Sequence, residues 1–423
     1  MNYECVENGA YNLHIINTKK FKTVTVEVDF RREVLKDEIT IRNLLKSILL
    51  YSNNEYSTER SLIKQTEELY DLKLISSNIR IGNYANLSFK IKFLNDKYTE
   101  KGLNKESIKF LLDILFNPDI ENNSFKEKNL LKCKKKLERS IKSLKDNKLK
   151  YTLFKLLGTT QGMPYSYNSY GYLDDIEKIN GENLYEYYKS VMDKDLIDIF
   201  VVGDVDTLEI KEIFKEYFKT KTFKKYNNKV EVRELDNVKK INFFEEEEDV
   251  NQTQLTILCN MKGINEFERK YVLSVYNEML GGSSNSLLFG TVREKMNYCY
   301  YINSNVKAYD NIMMIYSGIE NGNQDEVFKL IKKVLQDVNK GKFDNEVLEN
   351  AKETLISSIN ASRDNSSGII NTYYANVLVG SAYFDERIKN IEKVTKEDVI
   401  SVSKKINIHT VYVLKGESKN EKD

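Results

Sequence analysis

The chain has 423 residues, more than one hydrophobic core usually supports, so two or more domains are expected. Hydrophobic residues make up 41% and charged residues 30%, and 65 Lys and Arg against 64 Asp and Glu leave no net field to favour nucleic acid or an anionic membrane surface. No apolar run approaches the roughly 18 to 20 residues that span a bilayer, no charged-then-apolar leader opens the chain, and Cys5, Cys133, Cys259 and Cys299 form no CxxC pair, the pattern of reduced thiols in a cytoplasmic protein.

In chain order, "LHIINT" and "KTVTVEVDF" alternate like paired strands. Residues 36 to 54 read as a helix in which Ile41, Leu44, Leu45, Ile48 and Leu49 share one apolar face. A second helix is expected to start at a cap-like Ser57, with Arg60 at the capping-box position. Strands "LKLISSNIRI" and "ANLSFKIKFL" follow, then helices over 104 to 116, 124 to 146 and 149 to 157. The stretch 126 to 150 is strongly basic, but Leu130, Leu131 and Leu137 read as the buried side of a helix whose other side is solvated.

After an aperiodic basic linker at 219 to 229, "VEVRE", "KINFFE" and "TQLTILCNM" read as strands, with "EEEED" (245 to 249) closing an exposed one. Helices are expected at 266 to 280 and 284 to 296, strands at "YCYYINSNV" and "IMMIYSGI", and helices at 323 to 340 and 343 to 362. The chain also repeats itself. "IEKINGENLYEYYKSVMDKDLIDIFVVG" and "IEKVTKEDVISVSKKINIHTVYVLKG" start 215 residues apart, at 176 and 391, and each runs from a helix into a buried strand that ends in Gly. The expected fold class is α+β: two homologous halves, 1–222 and 223–423, each an antiparallel-rich sheet with helices packed on one face.

Catalytic groups are sparse. His14 and His409 are the only histidines and lie far apart, so a zinc site built from several histidines is excluded, and no nucleophile elbow, phosphate loop or dinucleotide fingerprint is present. The string "GGSSNSLLFGTVREKMNYCYY" holds a glycine turn, then Arg293 and Tyr300 in an R-x6-Y spacing. On the residues alone, Arg293 complements a helix C-terminus and Tyr300 is core, or the two form half of an active site.

The doubled element order and this string resemble the M16 (insulinase-like, mitochondrial-processing-peptidase-like) metallopeptidases, over essentially the whole chain. The resemblance implies the LuxS/MPP-like α+β architecture, substrate binding by Gly281, Gly282, Ser283, Ser284 and Arg293, and a Tyr300 hydroxyl that donates to the oxyanion formed in peptide hydrolysis. The family's zinc motif HxxEH aligns with "IRNLLKSILLYS", where its positions fall on Asn43, Lys46 and Ser47. An amide, an ammonium and a hydroxyl offer no zinc site, and the further Glu ligand belongs near helix 124 to 138, which is lysine-rich here. The resemblance therefore implies a non-catalytic bacterial member without zinc of its own. It would pair as a heterodimer with an HxxEH-containing M16 paralogue that carries the zinc, and share an extended peptide substrate with it. A homodimer, a peptide-binding or scaffold pseudoenzyme without a peptidase partner, and a peptidase with a non-zinc mechanism are the alternatives.

Overall fold

The computed structural model describes residues 1–218 and 232–416, and the linker expected at 219 to 229 lies outside them. In chain order the first part holds β1 (Asn2–Glu7), β2 (Asn12–Asn17), β3 (Thr23–Glu33), α1 (Ile39–Leu49), α2 (Glu59–Glu68), β4 (Lys73–Ile81) and β5 (Tyr84–Leu94). Then come α3 (Leu103–Phe116), a short hairpin of β6 (Ile120–Glu121) and β7 (Ser124–Phe125), α4 (Glu127–Lys142), α5 (Lys148–Gly158), α6 (Leu173–Lys178), α7 (Gly181–Lys194), β8 (Leu196–Gly203) and α8 (Thr207–Phe218). The second part holds β9 (Asn242–Glu248), β10 (Thr253–Met261), a helix α9 over 268–282, β11 (Cys299–Lys307), β12 (Ile312–Ile319), α10 (Gln324–Asn339) and α11 (Asn345–Ser362). It closes with α12 (Ser366–Val379), α13 (Phe384–Glu392), α14 (Lys396–Ser403) and β13 (Ile406–Gly416).

Unit 1 comprises Met1–Lys142, residues 168–218 and Ser362–Tyr374, and its sheet runs β1-β2-β8-β3-β5-β4. Unit 2 comprises Ser143–Tyr167, residues 232–361 and residues 375–416, and its sheet runs β11-β12-β10-β13-β9. Setting aside β1, the strands enter the two sheets in the same sequence order. In each, the last strand (β8 or β13) inserts parallel to the first (β2 or β9) and antiparallel to the second (β3 or β10). The IEK repeat falls on matching structure. Each copy ends one helix and opens the next with a capping box, Asn180 with Asn183 and Thr395 with Asp398, so the orphan N–H groups of both helix starts are satisfied alike.

One face of β3, Val24, Val26, Val28 and Phe30, joins Leu44, Leu45 and Ile48 of α1 in the core of unit 1. The opposite face, Thr25, Glu27, Asp29 and Arg31, is buried as well. The start of α12 covers it: the Thr25 and Ser366 hydroxyls meet at 2.8 Å, and Tyr374 donates to the Asn86 side-chain oxygen at 2.8 Å. Unit 2 has the matching arrangement. There α5 packs Leu156 with Leu258, Met314 and Tyr412, and Tyr151 donates to Glu246 of β9 at 2.8 Å. Thus each sheet takes one covering helix from the other half of the sequence.

Several local expectations shift. The first long helix ends at Leu49 rather than 54, because the Asn53 side chain accepts from Glu55 and Tyr56 N–H, an Asx-type turn that competes with the helix. The next helix is capped by Thr58, not Ser57, with Ser61 closing the box. In α4 the buried set is Leu130, Cys133 and Leu137, while Leu131 is 47% exposed, one position off that stripe. Residues 232–234 of "VEVRE" form no strand, whereas 2–7 and 366–379 take strand and helix that the periodicity did not suggest. "EEEED" does close an exposed strand, held by Lys415, Lys155 and Lys148 on Glu245, Glu246 and Glu248.

Candidate functional site

In unit 2 the R…Y segment is built by a helix that is broken on purpose. Gly281 leaves helical geometry at the end of α9, and a Cβ there would lie 2.7 Å from the Ser304 backbone nitrogen of β11. Only glycine permits that approach. At Gly282 a Cβ would meet a Glu278 carboxylate oxygen at 2.6 Å. Burial raises the Glu278 carboxyl above its ordinary value, and a hydrogen bond from Ser283 opposes this. Ser284 is exposed, and the chain re-enters a wide-turn helical segment at Phe289–Lys295.

Arg293 lies in that segment as an exposed residue, its guanidinium carbon 4.7 Å from the centre of the Phe289 ring one turn earlier. Asn297 then adopts a left-handed conformation (φ 54°), and its N–H donates to the Arg293 carbonyl at 3.0 Å, which closes the helix. β11 begins two residues later. Cys299 pairs with Ile319 and Tyr301 with Gly318, so Tyr300 is the extra residue of a β-bulge. A bulge re-aims a side chain, and the Tyr300 ring is 56% exposed, which removes the reading of Tyr300 as core. Its neighbour Tyr301 is the packed one: its ring lies on Gly318 and its hydroxyl donates to Gln254. Arg293 also acts on this strand start, since its charge opposes the burial that raises the Cys299 thiol. A cationic fork and a phenol, both open to solvent and joined by one tight turn, can donate hydrogen bonds to carbonyl oxygens.

In unit 1, Asn43, Lys46 and Ser47 of α1 line a cleft of about 880 Å³. The Asn43 amide is already engaged: it donates to the Ser169 carbonyl at 2.8 Å and accepts from Asn78 at 3.1 Å. Ser47 donates to the Asn43 carbonyl at 3.0 Å. Across the cleft α4 presents Lys132, Cys133 and Lys136. Burial first, and then the charge of Lys136, lowers the Lys46 ammonium below its ordinary value, while burial pushes the Cys133 thiol up to about 12. An ammonium, two engaged side chains and a protonated thiol do not fit zinc, and no group of three His, Cys, Asp or Glu side chains among the described residues is arranged to hold a metal. The facing lysines were not singled out in the sequence. Their signal there is the lysine-rich run of 126 to 150 and the i, i+4 spacing of Lys132 and Lys136.

Comparison with known proteins gives this geometry its relatives. Residues 178–355 match the family described as Peptidase M16 inactive domain. "Probable inactive metalloprotease YmfF" of Bacillus subtilis (strain 168) is 29% identical over 415 residues, 97% of either chain. The chain is thus similar to an M16 inactive domain over residues 178–355 and, over nearly its whole length, to a relative named a probable inactive metalloprotease. A second Bacillus subtilis (strain 168) relative, "Uncharacterized zinc protease YmxG", is 25% identical over 396 residues, 89% of this chain and 93% of the other. The crystal structure of a conserved protein from Enterococcus faecalis V583 superposes with a TM-score of 0.91 at 26% identity, covering 100% of both chains. The α+β architecture shared with that protein extends over the whole chain, and among the described residues no helix is long and apolar enough to cross a membrane. The two histidines are built into strands. His14 is stacked on Phe200 with its ring nitrogen 3.5 Å from Asp198, and buried His409 meets the Thr410 hydroxyl at 2.7 Å.

Proposed function

We propose that this inactive M16-like homologue is the zinc-free, cytoplasmic subunit of a heteromeric peptidase. In this reading an extended peptide is bound by strand addition, with Gly281, Gly282, Ser283 and Ser284 allowing its close approach. Arg293 and Tyr300 then serve the HxxEH site of an M16 paralogue. The Arg293 fork holds substrate backbone carbonyls, and the Tyr300 hydroxyl donates to the oxyanion that develops at the scissile carbonyl. The observation that carries the reading is the exposed Tyr300 on its bulge, beside exposed Arg293, in a chain whose Asn43, Lys46 and Ser47 do not fit zinc. The two Bacillus subtilis relatives, one named inactive and one named a zinc protease, are the kind of pair the reading requires.

A second reading, a peptide-binding or scaffold protein without a peptidase partner, is favoured by the unit 1 cleft, which can hold a ligand without Arg293 or Tyr300. The test is to recover the chain with its partner from native extract and measure kcat and KM on peptides. Tyr300→Phe removes one hydroxyl and is expected to lower kcat on the order of 10²- to 10³-fold, while Arg293→Ala raises KM as well. An intact complex in which Tyr300→Phe changes kcat by less than about twofold, or a native complex without peptidase activity, points to the scaffold instead.

A further inference from the structure

The unit 1 cleft contains more positive charge than the loss of a metal site requires. Lys46 on α1 and Lys132 and Lys136 on α4 all line it. Lys132 donates to the neutral Tyr51 hydroxyl at 2.7 Å and feels the Glu59 charge, with which it forms no ion pair among the described residues. Neither Lys46 nor Lys136 forms an ion pair among the described residues, and the two are close enough for one to depress the other. Four lysines (Lys73 is the fourth) face two carboxylates on the cleft wall, Glu59 and Asp71, and Asp71 is taken by Lys73 at 2.5 Å. Two like charges held together, one of them half-buried, are relieved by an anion placed between them.

The rest of the wall says what kind of molecule carries that anion. The cleft is bordered by β4, which is the edge of its sheet and offers unpaired backbone groups to an added strand. Leu74, Ile75 and Leu137 supply apolar surface beside the lysines, and Ile75 is 58% exposed. Backbone pairing, apolar contact and a cationic end together suit a peptide rather than a free inorganic ion.

We infer that the cleft between α1, α4 and the β4 edge binds the carboxylate of an extended peptide through Lys46, Lys132 and Lys136. This rests on the peptide-binding part of the function proposed above and adds the chemistry of the bound segment. The carboxylate is either an Asp or Glu side chain or the peptide's C-terminus, and three labelled peptides separate these. One has an internal Glu and blocked ends, one has Gln in its place, and one has Gln with a free C-terminal carboxylate. Fluorescence anisotropy with the full chain is expected to show the first or the third bound about tenfold more tightly than the second, as a charge-assisted bond implies. Which of the two gains identifies the source. Lys46→Gln and Lys136→Gln are each expected to erase the preference, and added salt to weaken it. Equal binding of all three peptides, or a preference that survives Lys46→Gln, overturns this inference and leaves peptide binding standing. Binding of none overturns both.

Discussion

Asp29 and Asp198 lie side by side on the covered face of the unit 1 sheet, paired across β3 and β8, yet their environments push them in opposite directions. Burial, then the charges of Glu27 and Asp198, raises Asp29 well above the ordinary carboxylate range, and hydrogen bonding from Asn86, at 2.8 Å, and from Ser88 does not offset this. Burial also pushes Asp198 up, but hydrogen bonds from His14 and Asn12 and the Arg31 guanidinium, 3.2 Å away, bring it below its ordinary value. For Asp29 the folded state holds the proton more tightly than the unfolded chain. Its contribution is therefore present below the unfolded value of about 3.9 and is lost as pH rises through the higher folded value. Asp29→Asn has no such dependence. Urea unfolding of both proteins across acid to neutral pH is expected to show the variant gaining on the wild type as pH rises; parallel curves would refute the assignment. The same attention to single side chains separates Tyr300 from Tyr301. The string "YCYY" does not say which phenol is free, and the bulge does.

At the level of elements, α1 is what positions Asn43, Lys46 and Ser47, and it is anchored from the residue before them. Arg42 is fully buried and donates to Asp195 at 2.8 Å and to the Phe30 carbonyl at 2.7 Å. Asp195, just after α7, is shared with Arg32 at 2.5 Å, and Arg32 continues to Glu38 at 3.1 Å. Removing the carboxylate leaves the fully buried Arg42 guanidinium without its ion-pair partner, while half-buried Arg32 keeps Glu38. Asp195→Ala is therefore expected to destabilise the protein by about 3 to 5 kcal/mol, the cost of breaking a buried pair from one side. Chemical denaturation measures it, and a loss below about 1 kcal/mol would place the pair among weak surface bridges. The helix pattern of α1 was readable from its apolar spacing. The role of Arg42 was not, because a buried arginine inside an otherwise apolar face has meaning only once Asp195, far along the chain, is beside it.

For the whole molecule, the lining that does not fit zinc belongs to two helices rather than to three positions of α1. Introducing Asn43→His, Lys46→Glu and Ser47→His changes α1 but leaves Lys132 and Lys136 on α4 facing the new ligands. No carboxylate on α4 lines the cleft to complete the set, and missing outer partners typically weaken a metal site about 10- to 100-fold. The triple variant is expected to bind zinc weakly and to cleave peptides poorly or not at all. Metal analysis with one tightly held zinc per chain and full peptidase activity would show that the scaffold supports a working site.

Local patterns carried the duplicated α+β architecture. Alternation marked most strands, apolar spacing marked α1 and α4, and the IEK repeat fell on helix starts whose capping boxes depend only on residues three apart. The R-x6-Y spacing was equally local. What needed the tertiary structure was everything set by contacts distant in sequence. The strand 2–7 and the helix 366–379 carry little periodicity of their own, and they are held by the sheet edge and the polar face they cover. Likewise, the convergence of Lys46 with Lys132 and Lys136 follows from the packing of α1 against α4, because charge has no period in the chain and acquires meaning only from what faces it.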